Sequence, residues 1–118
     1  MNKIYIVINL ILIMGIMQDS GEILIFAYKN YLKNEETSIE EIQELTKWDI
    51  NRIKRSLDYL KKLSTIEARK SLGGNGNITK LLPHGIILIE NDDEEEFKQT
   101  FGFEVNLGLF KFSITESN

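Results

Sequence analysis

The chain has 118 residues with 42% apolar and 27% charged side chains, the size and composition of one folded domain with a real core. It lacks cysteine and has one histidine, His84, which excludes disulfides, thiolate metal centres and most zinc or nucleophile–base chemistry. The net charge of −4 is unevenly spread. Lys47 to Lys80 carries nine basic and three acidic residues, a local balance of +6, while the rest sums to −10. Screening over roughly 8 Å at physiological salt keeps distant carboxylates from cancelling a basic patch.

Residues 1–17 form an apolar N-terminal segment, MNKIYIVINLILIMGIM, broken between Ile4 and Met17 only by Asn9 and Gly15. Lys3 ahead of an apolar run resembles a secretory signal, but Gln18-Asp19-Ser20 follows where a small-residue cleavage site belongs. Fourteen residues also fall short of the about 20 that span a bilayer. The positive flank would moreover keep the N-terminus inside and export the remainder. Two readings remain: a strand or helix at a dimer interface, or an upstream run preceding a true start at Met14 or Met17.

From Ser20 to Lys33 the spacing of Leu24, Ala27, Tyr28 and Tyr31 predicts a helix, with Asp19 or Ser20 as its N-cap. Asn34-Glu35-Glu36 reads as a loop. Ser38 with Glu41 fits a capping box opening a short second helix, whose inner stripe is Ile39, Ile42 and Leu45. A turn at Thr46–Trp48 leads to Asp49, the N-cap of a third helix from Ile50 to about Leu63. Ile50, Ile53, Leu57 and Leu60 form its inner face. At about 100° per residue, Asn51, Arg55, Asp58, Tyr59 and Lys62 fall opposite, with Arg52, Lys54 and Lys61 on the flanks.

Ile66 to Leu72 alternates as a strand does, Gly73 to Asn77 signals a tight turn, and Ile78 to Leu81 returns. Pro83 suits the first turn of a helix ending at Glu90. The acidic run Asn91–Glu96 reads as a solvated helix start. Its consecutive carboxylates lack the spacing and turn glycine of a calcium loop. From Phe101 to Ile114 large apolar residues alternate, with a phase change near Gly108 that implies a bulge or turn. That tail predicts a β-like extension, covering the core or, as favoured here, forming a subunit interface.

The order of the central elements resembles the winged helix-turn-helix of small transcriptional regulators, MarR-like and ArsR-like in general pattern. The likeness covers about Asp19 to Glu90. It is carried by the S-x-E-E-I helix, the D-I-N-R-I-K-R-S-L-D-Y-L-K-K-L helix, the I-E entry to the wing and the P-x-G-I start of the helix after it. Ser64-Thr65 stands where a glycine commonly ends the recognition helix, and Leu82 where Thr or Ser usually caps the last one. The resemblance implies an α+β fold: a three-helix core with a β-hairpin wing over residues 18–91, followed by an acidic linker and aromatic tail over 92–118.

It also implies roles. Asn51, Arg52 and Arg55 would approach base edges, since Arg makes two hydrogen bonds with guanine and Asn with adenine. Lys47, Lys54, Lys61 and Lys62, and Arg69, Lys70, Asn75 and Lys80 of the wing, would meet the sugar–phosphate backbone, which positions without reading sequence. The expectation is a cytoplasmic, non-enzymatic regulator that binds double-stranded DNA as a homodimer through the N-terminal segment, residues 101–114, or both. It calls for no cofactor or metal. Asp58 on the outward face counts against DNA. Trp48 suits the core better than a stacking role, and His84 the surface. Gly73–Asn77 lacks the Lys-Ser/Thr ending of a phosphate loop. A winged-helix adaptor binding only proteins, or a membrane-tethered domain, is the alternative, because fold alone does not dictate function.

Overall fold

The computed structural model describes residues 3–69, 76–91 and 93–106, with residues 3–14 as backbone only. The described residues are α+β: five helices and a three-stranded antiparallel sheet, in the order α1 (Lys3–Leu32), β1 (Thr37–Ser38), α2 (Ile39–Thr46), α3 (Ile50–Lys62), β2 (Ile66–Arg69), β3 (Asn77–Leu81), α4 (Pro83–Glu90) and α5 (Glu94–Phe101). This order and sheet are compatible with a winged helix.

Helix α1 does not begin at Ser20 but runs unbroken from Lys3. Neither expected cap is used as one. The Ser20 hydroxyl donates back to the Ile16 carbonyl at 2.6 Å, and the Asp19 carboxylate is engaged by Arg52. At about 1.5 Å per residue a 30-residue helix spans about 45 Å, most of the molecule's 52 Å long axis. Among the described residues no helix is long and apolar enough to cross a membrane. The C-terminus of α1 closes at Asn34, which takes positive φ (58°) while Glu35 donates to the Asn30 carbonyl. Asn tolerates that left-handed conformation better than most residues do.

Before the helix that Ser38 was expected to cap, Thr37-Ser38 form a two-residue strand against β3, pairing Thr37 with Ile78 and Ser38 with Asn77. Ser38 then caps α2, accepting from the Glu41 amide at 3.0 Å. The reciprocal half of the expected capping box is replaced. The Glu41 carboxylate accepts from Asn30 Nδ2 (3.2 Å), which also donates to the buried Thr37 hydroxyl (2.9 Å). One buried amide thus ties α1 to β1 and α2. Leu45, assigned to the inner stripe of α2, is 61% exposed, because an eight-residue helix turns it past the edge of the core.

Sheet order is β1-β3-β2. The hairpin slips register between Glu67 and Ala68, which pair with Lys80 and Ile78 and leave Thr79 as the extra residue of a bulge. Its hydroxyl reaches the Glu67 carbonyl (3.4 Å). Of the expected turn Gly73–Asn77, Asn77 already belongs to β3, while Lys70 to Asn75 lie outside the described residues.

Ser64 adopts positive φ (57°) at the end of α3, doing what glycine does elsewhere. Ser64 donates to the Lys61 carbonyl and Thr65 to the Leu60 carbonyl, the paired bonds of a Schellman closure. A β-carbon in that conformation is strained, so Ser64→Gly should stabilise the fold by about 1 kcal/mol. Thermal melting should read this as a rise of roughly 4 °C. No rise would mean that the hydroxyl compensates. Helix α4 spans the range expected from Pro83, and Leu82 precedes it without a side-chain cap. Gly85 lets α4 approach closely, since a β-carbon there would lie 2.5 Å from the Thr65 carbonyl oxygen.

The core is formed by Ile23, Leu24, Ala27 and Tyr28 of α1, Ile39 and Ile42 of α2, Ile53, Leu57 and Leu60 of α3, strand residues Ile66, Ile78 and Leu81, and Leu88 and Ile89 of α4. Phe97 and Phe101 of α5 complete it, both fully buried. This corrects the β-like reading of the tail at its start. Phe101 ends a helix capped by Asp93, whose carboxylate accepts from the Glu96 amide, and closed by Gly102 at φ 79°. Residues 102–106 form no strand. Phe103 meets Phe97 edge-on at 5.4 Å, and Phe103 and Val105 pack on the core. Residues 107–118, including the Gly108 phase change, lie outside the described residues.

Candidate nucleic-acid interface

The turn before α3 is held at several points. Lys47 takes φ 63° and donates to the Gln43 carbonyl. The Thr46 hydroxyl accepts from the Trp48 amide, and Gln43 Nε2 donates to the Trp48 carbonyl. Asp49 then caps α3, accepting from the Asn51 amide at 2.7 Å. These bonds set the angle at which α3 leaves α2.

Helix α3 buries Ile53, Ser56, Leu57 and Leu60 and exposes Asn51, Lys54, Arg55, Asp58, Lys61 and Lys62. Four cations therefore share an exposed face with one carboxylate. Lys61 approaches Asp58 at 3.7 Å with both side chains well exposed, a pairing worth under about 1 kcal/mol that leaves the lysine available.

Beside this face lies a groove of about 260 Å³ between α3 and the sheet, lined by Lys54, Leu57, Asp58 and Lys61 of α3, Ala68 and Arg69 of β2, and Ile39, Gly76 and Asn77. Its lining combines Ile39, Leu57 and Ala68 with three cations and one carboxylate, Asp58. Glu36 shares that neighbourhood, 3.7 Å from Arg69 and accepting from Asn77 Nδ2 at 3.1 Å.

Of the remaining expected contacts, Lys47 is exposed in the turn before α3. Lys80 is also exposed but lines a different groove, formed by Ala27, Tyr31, Asn34, Glu35, Glu36 and Thr37 with β3. It is not grouped with Lys54, Lys61 and Arg69. Lys70 and Asn75 lie outside the described residues.

Arg52, also exposed, stands at the flank of that face and is held toward α1. Its Nε and Nη2 donate to both carboxylate oxygens of Asp19 in α1, at 2.7 and 2.9 Å, and its guanidinium lies 4.1 Å from the centre of the Trp48 ring. Trp48 packs against the core, as expected of it. The Asp19 hydrogen bonds raise the Arg52 pKa further. Burial, then repulsion from Asp19, pushes the neighbouring Glu22 carboxyl up from its ordinary value. Tyr59, assigned to the outward face, is half-buried and donates to the Thr100 carbonyl at 3.0 Å, because α5 covers that flank. Burial raises its pKa. No sequence signal for α5 reached as far as Thr100, so this contact was not foreseeable.

Small residues allow α1 and α3 to meet closely. The Ser20 hydroxyl oxygen lies 3.2 Å from the Ser56 carbonyl, and both serines are fully buried. Among the described residues no group of three His, Asp or Glu side chains could hold a metal ion. His84 is exposed in the first turn of α4, its Nδ1 2.9 Å from the Leu63 carbonyl. Compared with known proteins, no family model, no curated protein and no solved structure matches this chain.

Proposed function

We propose that this chain is a winged-helix regulator that binds duplex DNA, with α3 entering the major groove and the β2–β3 wing beside the backbone. The carrying observation is the exposed face of α3, where Lys54, Arg55, Lys61 and Lys62 stand against one acid, next to a groove that Arg69 rims from the wing. A helix of this charge suits a polyanion, and its N-terminal residues are the ones that a docked recognition helix offers to bases.

In this reading Asn51 and Arg55 meet base edges, while Lys47, Lys54, Lys61, Lys62 and Arg69 meet phosphates. The protein acts in the cytoplasm as a homodimer, occupying an operator. Support for the dimer comes from α1, whose helix continues through the apolar sequence between Ile4 and Met17. Sedimentation of the full chain against a version starting at Met17 tests that assembly, and equal monomeric mass for both would remove it.

Fluorescence anisotropy with random duplex DNA at low salt, then along a salt series, tests the function. Four phosphates neutralised per subunit give a dimer a slope of log K against log salt of about −7. No binding at low salt ends this reading in favour of a protein-binding adaptor, for which the exposed Leu45 and Ile87 are suitable contacts. Arg55→Ala should flatten the preference at one base pair, costing about 1–3 kcal/mol there. An equal loss on every sequence would make Arg55 a phosphate contact.

A further inference from the structure

The pairing of Arg52 with Asp19 joins the candidate reading helix to α1, in a position where a free arginine would flank the reading face. Arg52 is the third residue of α3, directly after Asn51 and three before Arg55. Its side chain is long enough to swing to the exposed side. It is held instead by two short hydrogen bonds to one carboxylate and by the Trp48 ring beneath it.

Asp19 is well placed to be the holder. Its side chain is only 13% exposed against 45% for Arg52, so the fixed partner is the acid and the mobile one the arginine. A two-bond arginine–carboxylate pair is among the stronger surface arrangements, because planar groups match and both bonds are charge-assisted. Glu22, one turn further along α1, adds attraction of the same sign. The arrangement leaves the exposed face of α3 with a single arginine, Arg55.

Resting on the DNA-binding reading, we propose that Asp19 is a specificity-determining positioning residue. By withholding Arg52 from the groove, it limits guanine recognition near the start of α3 to Arg55. Asp19 touches no DNA itself and acts through the side chain that it holds.

The test uses the full chain as wild type, Asp19→Asn, Asp19→Ala, Arg52→Ala and the Asp19→Asn/Arg52→Ala pair. Each is folded-checked by thermal melting and then offered a random duplex library whose bound fraction is sequenced. Asp19→Asn and Asp19→Ala should gain a guanine preference of about tenfold at one position that wild type leaves open, the size of one two-bond arginine–guanine contact. Arg52→Ala alone should leave the wild-type preference unchanged, and in the double variant the new preference should vanish. That non-additivity is what a purely structural clamp cannot produce.

Lower melting temperatures with unchanged preference in both Asp19 variants would overturn the proposal and leave the DNA-binding reading standing. So would a lost preference in Arg52→Ala alone, since Arg52 would then already read a base. Absence of DNA binding by the wild type would overturn both together.

Discussion

Phe97→Ala is expected to destabilise the protein by about 3–5 kcal/mol, the cost of emptying a fully buried aromatic site, and to lower the melting temperature on the order of 15 °C. Phe97 has no exposed surface, lies 4.7 Å from the Phe101 ring and receives Phe103 edge-on. Its loss opens a cavity between α5 and the rest of the core that the surrounding rings cannot collapse to fill, because Phe101 is itself pinned. The pinning is visible at Gly21 of α1. A β-carbon there would sit 2.8 Å from the Phe101 Cβ and 2.6 Å from the Phe103 ring, so α1 and the end of α5 are already as close as backbone permits. Phe97→Leu, which retains most of the volume, should cost under about 1.5 kcal/mol. Calorimetry of the two variants checks the argument. A Phe97→Ala protein within 1 kcal/mol of wild type, by order of magnitude from the same cavity rule, would mean that α5 is not part of the folding unit.

The second large effect concerns the proposed binding of duplex DNA. Removing Lys54, Lys61 and Arg69 together, each to alanine, is expected to weaken duplex binding by about 10²–10³-fold per subunit at 0.1 M salt, with the slope of log K against log salt less steep by about 3. These three side chains line one groove from two elements, so a single phosphate strand could meet all of them. Lys80→Ala is the internal control. It removes one positive charge from a different groove, lined also by Glu35 and Glu36, and should change the slope by less than Lys54→Ala, Lys61→Ala or Arg69→Ala made singly. Anisotropy along a salt series reads both. If Lys80→Ala changes the slope as much as each of those single variants, the DNA path does not follow the α3–wing groove. Stability should scarcely move in any of these proteins, since all four residues are exposed.

Much of this architecture could be read locally. Asp49 caps α3 and Ser38 caps α2 as their positions imply, because a cap is a contact between residues two or three apart. Helix α4 begins at Pro83 for the same reason. The buried stripe of α3 follows from helical periodicity at Ile53, Leu57 and Leu60, and the exposed cations from the same wheel. Ser64, suspected as a weak closure because it stands where glycine is common, carries positive φ as that substitution requires.

What could not be read locally depended on a partner distant in the chain. The alternation of Phe101, Phe103 and Val105 suggested a strand, yet the four-residue step from Phe97 to Phe101 is helical, and the α1 and α4 surfaces against which α5 packs select that phase. The acidic run does open a helix, but Phe97 hides within it and gave no apolar stripe to follow. Asp19 was taken for a cap because nothing nearby in sequence competes for its carboxylate, whereas Arg52, far along the chain, does.

Local bonding and periodicity thus determined where α2, α3 and α4 lie and which side of α3 carries its positive charge. Tertiary packing decided that α5 closes the core, that Tyr59 is covered, and that the exposed Arg52 is held by Asp19. The physical reason is range. Caps, turns and helical stripes are energies between near neighbours, while the choice among several partners for one apolar or charged group is made only when the chain has folded back on itself.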